Sequence, residues 1–158
     1  MALVLADLAL TSTAFPHRGT IPSRYTCEGA DVSPPLAWDE PPDATRSFAL
    51  VVEDPDAPGK VWVHWLLWDL AASTRSLRED LPPNEPDVQQ GRNDFGNRGY
   101  GGPCPPKGHG AHRYVFRLYA LDTQLNLAPG SSRRELDAAM KGHVLATGEL
   151  VGHYHRDR

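Results

Sequence analysis

The chain has 158 residues, 40% of them apolar and 23% charged, with a formal net charge of −4. That length fits a single domain over residues 1–158, with enough chain for a sizeable core. The acidic balance and the lack of a basic patch argue against a nucleic-acid partner, and the longest apolar runs are too short to span a bilayer.

The first ten residues, "MALVLADLAL", are weakly apolar, lack a basic start and are interrupted by Asp7. They read as a first strand and not as a secretory signal, which makes the cytoplasm the default location. "SFALVVED", Ser47 to Asp54, is a β-branched apolar run and an expected strand. "VWVHWLLWDL", Val61 to Leu70, is apolar on both faces, as a central strand would be. From Ser73 to Gly110 the chain is poor in apolar residues and rich in Pro, Gly and Asn. A connection this long is either functional or disordered, and Phe95 and Tyr100 favour an ordered loop packed on the body. "RYVFRLYAL", Arg113 to Leu121, is the next strand. Ser132 and Glu135 predict a capping box, with Leu136, Met140 and Val144 following at helical spacing and Gly148 as the stop. "GELVGHYHR", Gly148 to Arg156, is a last strand with Leu150, Gly152 and Tyr154 on one face. The mixture predicts a mainly antiparallel β domain with peripheral helices.

Two stretches concentrate chemistry. "EDPDAPG", Glu53 to Gly59, holds Asp54 and Asp56 on a turn stiffened by Pro55 and Pro58. His64 follows on an otherwise apolar strand, where strict alternation groups it with Trp62, Leu66 and Trp68. A histidine so placed is usually a satisfied core residue, but an aspartate partner would fix its tautomer and raise its pKa. "GGPCPPKGHGAHRY", Gly101 to Tyr114, packs its first residues with glycine and proline, then presents His109, His112, Arg113 and Tyr114. Its prolines lower the ordering entropy of the loop, and His112 and Tyr114 alternate onto one strand face.

The cysteines, Cys27 and Cys104, are too few for a disulfide framework, and reduced thiols are expected in a cytoplasmic chain. A single bridge between them is the alternative. No CxxC pair supports a zinc ribbon.

"DPDAP", "VHWLLWDL" and "GPCPPKGHGAHRYVFRLYAL" resemble the signature blocks of the phosphatidylethanolamine-binding protein family, which includes the Raf kinase inhibitor proteins. "IPSRYTCEGADVSPPLAW", "GRNDFGNRGYGG" and "LVGHYHR" resemble its bacterial and archaeal branch, so the likeness runs in order along nearly the whole chain. The resemblance implies a large central antiparallel sheet packed on a smaller sheet, with peripheral α-helices and a small anion pocket at one sheet end. Carried over position by position, Asp54, His64, His112 and Tyr114 match the pocket side chains. Asp56, Pro58, Trp62, Gly102 and Pro106 match its walls and turns, and Arg113 matches an arginine that braces the turn. The bacterial branch also admits a homodimer.

The leading expectation is a non-enzymatic binding protein for a small anionic or phosphorylated ligand such as phosphate or phosphoethanolamine. It has no catalytic residue, cofactor or metal, and the resemblance adds a kinase or a serine protease as a target of inhibition. The alternatives are a metal-dependent enzyme using Asp54, Asp56, His64, His109 and His112, and a hydrolase using the Asp54–Asp56 carboxylates.

Overall fold

The computed structural model describes residues 5–157. Its strands are β1 (Ala6–Asp7), β2 (Gly19–Thr20), β3 (Leu36–Ala37), β4 (Ser47–Asp54), β5 (Trp62–Ala71), β6 (Ser76–Leu77), β7 (Gln89–Gln90), β8 (His112–Leu121) and β9 (Val144–Tyr154). One α-helix, α1 (Arg133–Met140), and a short 3-10 turn at Ser23–Tyr25 complete the described elements. The first four residues of the predicted N-terminal strand lie outside the described residues, and Ala6–Asp7 pairs in parallel with β9.

The large sheet runs β1-β9-β8-β4-β5-β7, with β2 also pairing to β9, and β3 and β6 form a separate two-stranded sheet. The long strands β9, β8, β4 and β5 are antiparallel to their neighbours. Only the short β1 and β2 run parallel to β9, so the large sheet is mixed at that edge. Val, Leu, Phe and Trp fill β4 and β5 because both faces of these strands are covered. One face, with Phe48, Leu50, Trp65, Leu67 and Phe116, packs with Leu36, Trp38 and Leu77 of the small-sheet region. The other face, with Ala49, Val51, Leu66 and Trp68, packs on Leu136 and Met140 of α1.

The capping box forms as predicted: Ser132 Oγ accepts from the Glu135 N–H and Glu135 answers to the Ser132 N–H. The helix is shorter than its apolar spacing predicts. It ends at Met140, the chain reverses at Gly142 (φ 81°), and Val144 begins β9 opposite Leu121. Pairing to β8 claims the segment that helical spacing assigned to α1, so Gly148 lies within β9 and His143 lies in the turn.

The Ser73–Gly110 segment is ordered and runs along the outer edge of β5. Gly91 N–H donates to Leu66 O, Asp94 N–H to Val63 O and Gly101 N–H to His64 O. An open strand edge is a template for unwanted pairing, and this loop covers it. Buried Asn93 holds the loop, accepting from the Phe95 and Asn97 N–H groups and donating to Gly99 O.

Candidate functional site

Antiparallel pairing brings the end of β4 beside the start of β8, with Glu53 opposite Val115. The start of β5 lies on the other side of β4, with Asp54 opposite Trp62. The two chemical stretches of the sequence therefore meet at one end of the sheet. Between them lies a cavity of about 250 Å³ lined by Asp54, Pro58, Trp62, His64, Pro106, His112 and Tyr114. Ala57, Phe95, Cys104 and Pro105 complete its walls.

His64 reaches this cavity through a break in strand alternation. Val52 pairs with Trp65 but Glu53 pairs with Val63, so His64 is the extra residue of a β-bulge. The bulge separates His64 from Leu66 and Trp68, which pack on the α1 side, and turns it edge-on to Tyr114 at 5.2 Å. Its Nδ1 lies 2.6 Å from Gly101 O, which only accepts, so Nδ1 carries the proton. Burial pushes the imidazole below its usual 6.5, against the opposing pull of Gly101 O and the Asp54 carboxylate. The ring is neutral and its Nε2 is an acceptor.

Asp54 is 3% exposed and both its oxygens are engaged. Oδ1 accepts from the Asp56 N–H at 2.8 Å, and Oδ2 accepts from His112 Nδ1 at 2.6 Å. The aspartate thus orients His112 and not His64. Asp56 and Gly102 lie outside the cavity lining. Asp56 takes a bidentate grip from Arg113 and also accepts its backbone N–H, and these bonds hold its carboxyl down at about 2. Gly102 donates to Asp31 Oδ1, and a Cβ there would lie 2.3 Å from both that oxygen and Tyr25 O. It is glycine because two loops touch at that point.

Tyr114 is 1% exposed and Trp62 lines the same cavity, yet Tyr114 Oη and Trp62 Nε1 have no hydrogen-bond partner among the described residues. Burial, reinforced by the Asp54 and Asp56 carboxylates, pushes the Tyr114 phenol far above its usual value, so it keeps its proton. Two unpartnered donors on residues that line one cavity are notable, because most buried polar groups in proteins are paired.

Cys27 and Cys104 are bridged, in place of the expected reduced thiols, with Cα atoms 5.4 Å apart. The loops that carry them are held together independently by Cys27 N–H to Pro103 O and by the Gly102–Asp31 bond. Such bridges are typical of oxidising compartments and of hyperthermophile cytosols, so cysteine usage no longer argues for a cytoplasmic location. No described helix is long and apolar enough to cross a membrane.

Sequence reasoning missed the part played by two residues. Phe95 contributes an edge-on ring against Trp62 and His64, at 5.6 and 5.4 Å. His109, exposed on its turn, nonetheless places its Nδ1 2.6 Å from His112 Nε2. Among the described residues no group of three or more His, Cys, Asp or Glu side chains is arranged to hold a metal. Here Asp54, His112 and His109 bond one another in a chain.

A large mixed β sheet with a small, mostly apolar cavity at one end, flanked by a second small sheet and one helix, is the architecture the chain presents. The family is also explicit: the phosphatidylethanolamine-binding protein pattern matches residues 11–155, and the chain belongs to that family. The UPF0098 protein of Methanothermobacter thermautotrophicus is 51% identical over 93% of this chain and 98% of its own length. Two solved structures share the fold. A phosphatidylethanolamine-binding protein homologue of Chlamydia trachomatis, CT736, superposes with TM-score 0.88 at 39% identity, over 96% of this chain and 99% of its own. YbcL of Escherichia coli, a member of the mammalian family, gives TM-score 0.88 at 34% identity, over 95% of this chain and 99% of its own.

Proposed function

We propose that this protein is a non-enzymatic binding module whose cavity takes a small oxyanion, with phosphate and phosphoethanolamine as model ligands. The observation that carries this is the pair of buried, unpartnered donors, Tyr114 Oη and Trp62 Nε1, on two residues that line the same cavity. An oxyanion supplies the acceptors both groups lack and recovers the roughly 1–3 kcal/mol that each loses while unpaired. No lysine or arginine lines the cavity, so affinity for a free anion is modest. Asp54 supports binding over hydrolysis, because both its oxygens are spent on holding the turn and His112. Asp56 is committed to Arg113, which removes the second carboxylate a hydrolytic pair requires. Inhibition of a kinase or a serine protease would be a further activity of the rim and is not needed for this reading.

The test is thermal protection. At ten times its dissociation constant a ligand stabilises by about 1.4 kcal/mol, a rise of a few degrees in Tm for a chain of this size. Phosphate and phosphoethanolamine should each raise Tm, and His112→Ala should abolish the rise. No shift with either ligand in the wild type would contradict the proposal.

A further inference from the structure

His112 has no free ring nitrogen. Its Nδ1 is taken by Asp54 and its Nε2 by His109 Nδ1, each at 2.6 Å. The two partners differ in kind. Asp54 is buried on β4 and locked by its second oxygen, whereas His109 belongs to an exposed turn. Because His112 Nδ1 donates to a carboxylate, a single proton is shared between His109 Nδ1 and His112 Nε2. His109 therefore fills the hydrogen-bonding position through which His112 would otherwise meet a ligand.

Resting on the oxyanion reading above, we propose that His109 is an internal competitor for the ligand: it caps His112 Nε2 in the empty site and leaves when an oxyanion enters. The backbone supplies the pivot. Gly108 and Gly110 flank His109 with φ of 73° and 89°, a region that glycine enters at little cost. A Cβ built on Gly110 meets nothing within 4 Å, so the turn has room to move. Both ends of this pivot are fixed. Upstream, Cys104 is bridged to Cys27 and Pro105 O accepts from Arg156 Nε at 2.6 Å. Downstream, His112 enters β8 opposite Tyr154. Between these anchors the turn is held by two backbone bonds, Gly108 N–H to Arg156 O and His109 N–H to Pro106 O. His109 thus sets the affinity of the pocket without belonging to its walls.

Competition makes a prediction opposite in sign to that for a ligand contact. Removing an internal hydrogen bond worth 0.5–1.5 kcal/mol should tighten ligand binding by about twofold to tenfold. The experiment is calorimetric titration of inorganic phosphate into wild type, His109→Ala and His109→Gln. Nitrogen-15 spectra of the imidazoles, recorded alongside, report the His112 Nε2 hydrogen bond directly. His109→Ala should bind more tightly, and His109→Gln, which keeps a side-chain donor, should fall between. In the wild type the His109 and His112 resonances should move together as phosphate saturates. Tighter binding by His109→Ala than by wild type supports the proposal. Equal or weaker binding by His109→Ala, with wild type still binding, overturns it and leaves the pocket reading intact. No phosphate binding by any of the three overturns both.

Discussion

Asp54 Oδ2 lies 2.6 Å from His112 Nδ1, and the two side chains are only 5% and 3% exposed. The pair joins the last residue of β4 to the first residue of β8 and fixes one imidazole at the cavity wall. Asp54→Asn keeps the shape but weakens acceptance from His112 and from the Asp56 N–H. Stability should fall by roughly 1–3 kcal/mol in urea denaturation, with phosphate affinity falling about tenfold. A variant within 0.5 kcal/mol of wild type would show that the pair is not a structural tie.

Tyr114→Phe separates binding from folding. It removes a buried hydroxyl that lacks a partner, so the empty protein should be as stable as wild type or more so, by up to about 1 kcal/mol. Phosphate protection should drop at the same time. Calorimetric Tm values with and without phosphate measure both effects in one series.

The Cys27–Cys104 bridge closes 77 residues of sequence separation. On the chain-entropy account a loop of that length stabilises by about 4 kcal/mol, or on the order of 10 °C in Tm for a chain this size. Melting in the presence of a phosphine reductant should show this loss. A Cys27→Ser, Cys104→Ser double variant should melt at the reduced temperature in either buffer.

The acid side of the stability curve should carry two steps. Burial holds the folded His64 below the usual 6.5, so its neutral form favours the fold above that pH. This contribution is lost as pH falls below about 6.5, where the unfolded chain takes up a proton first. His64→Asn should flatten the slope of unfolding free energy as pH falls below about 6.5. Asp56 titrates later: its carboxyl is lowered from 3.8 to about 2 by Arg113, so its contribution is present above 3.8 and lost on falling toward 2. Solvent screening keeps that second step small, since the Asp56 and Arg113 side chains are 31% and 55% exposed. Asp56→Asn should remove it.

Local patterns in the sequence translate directly into local structure. Ser47–Asp54 is a strand over the span its β-branched run marks, and Ser132 with Glu135 forms the predicted capping box. The proline-stiffened turn and the histidine-tyrosine pair converge because antiparallel pairing of β4 with β8 leaves them no other place to go. What depends on distant contact was not legible. The cysteine bridge spans 77 positions and leaves no local mark. The bulge at His64 is a register fact of two strands, and it reverses the face that alternation assigns to that residue. Val144 follows helical spacing, yet pairing with Leu121 draws it into β9. His109 carried no periodic signal at all, since its role comes from a turn that folds its ring back onto His112.

The most direct test of the binding claim is a crystal structure of the protein grown in inorganic phosphate. The account predicts phosphate in the cavity between Trp62 and His112, with oxygens within hydrogen-bond distance of Tyr114 Oη and Trp62 Nε1. A cavity free of phosphate, or phosphate bound there with both donors still unpartnered, would contradict it.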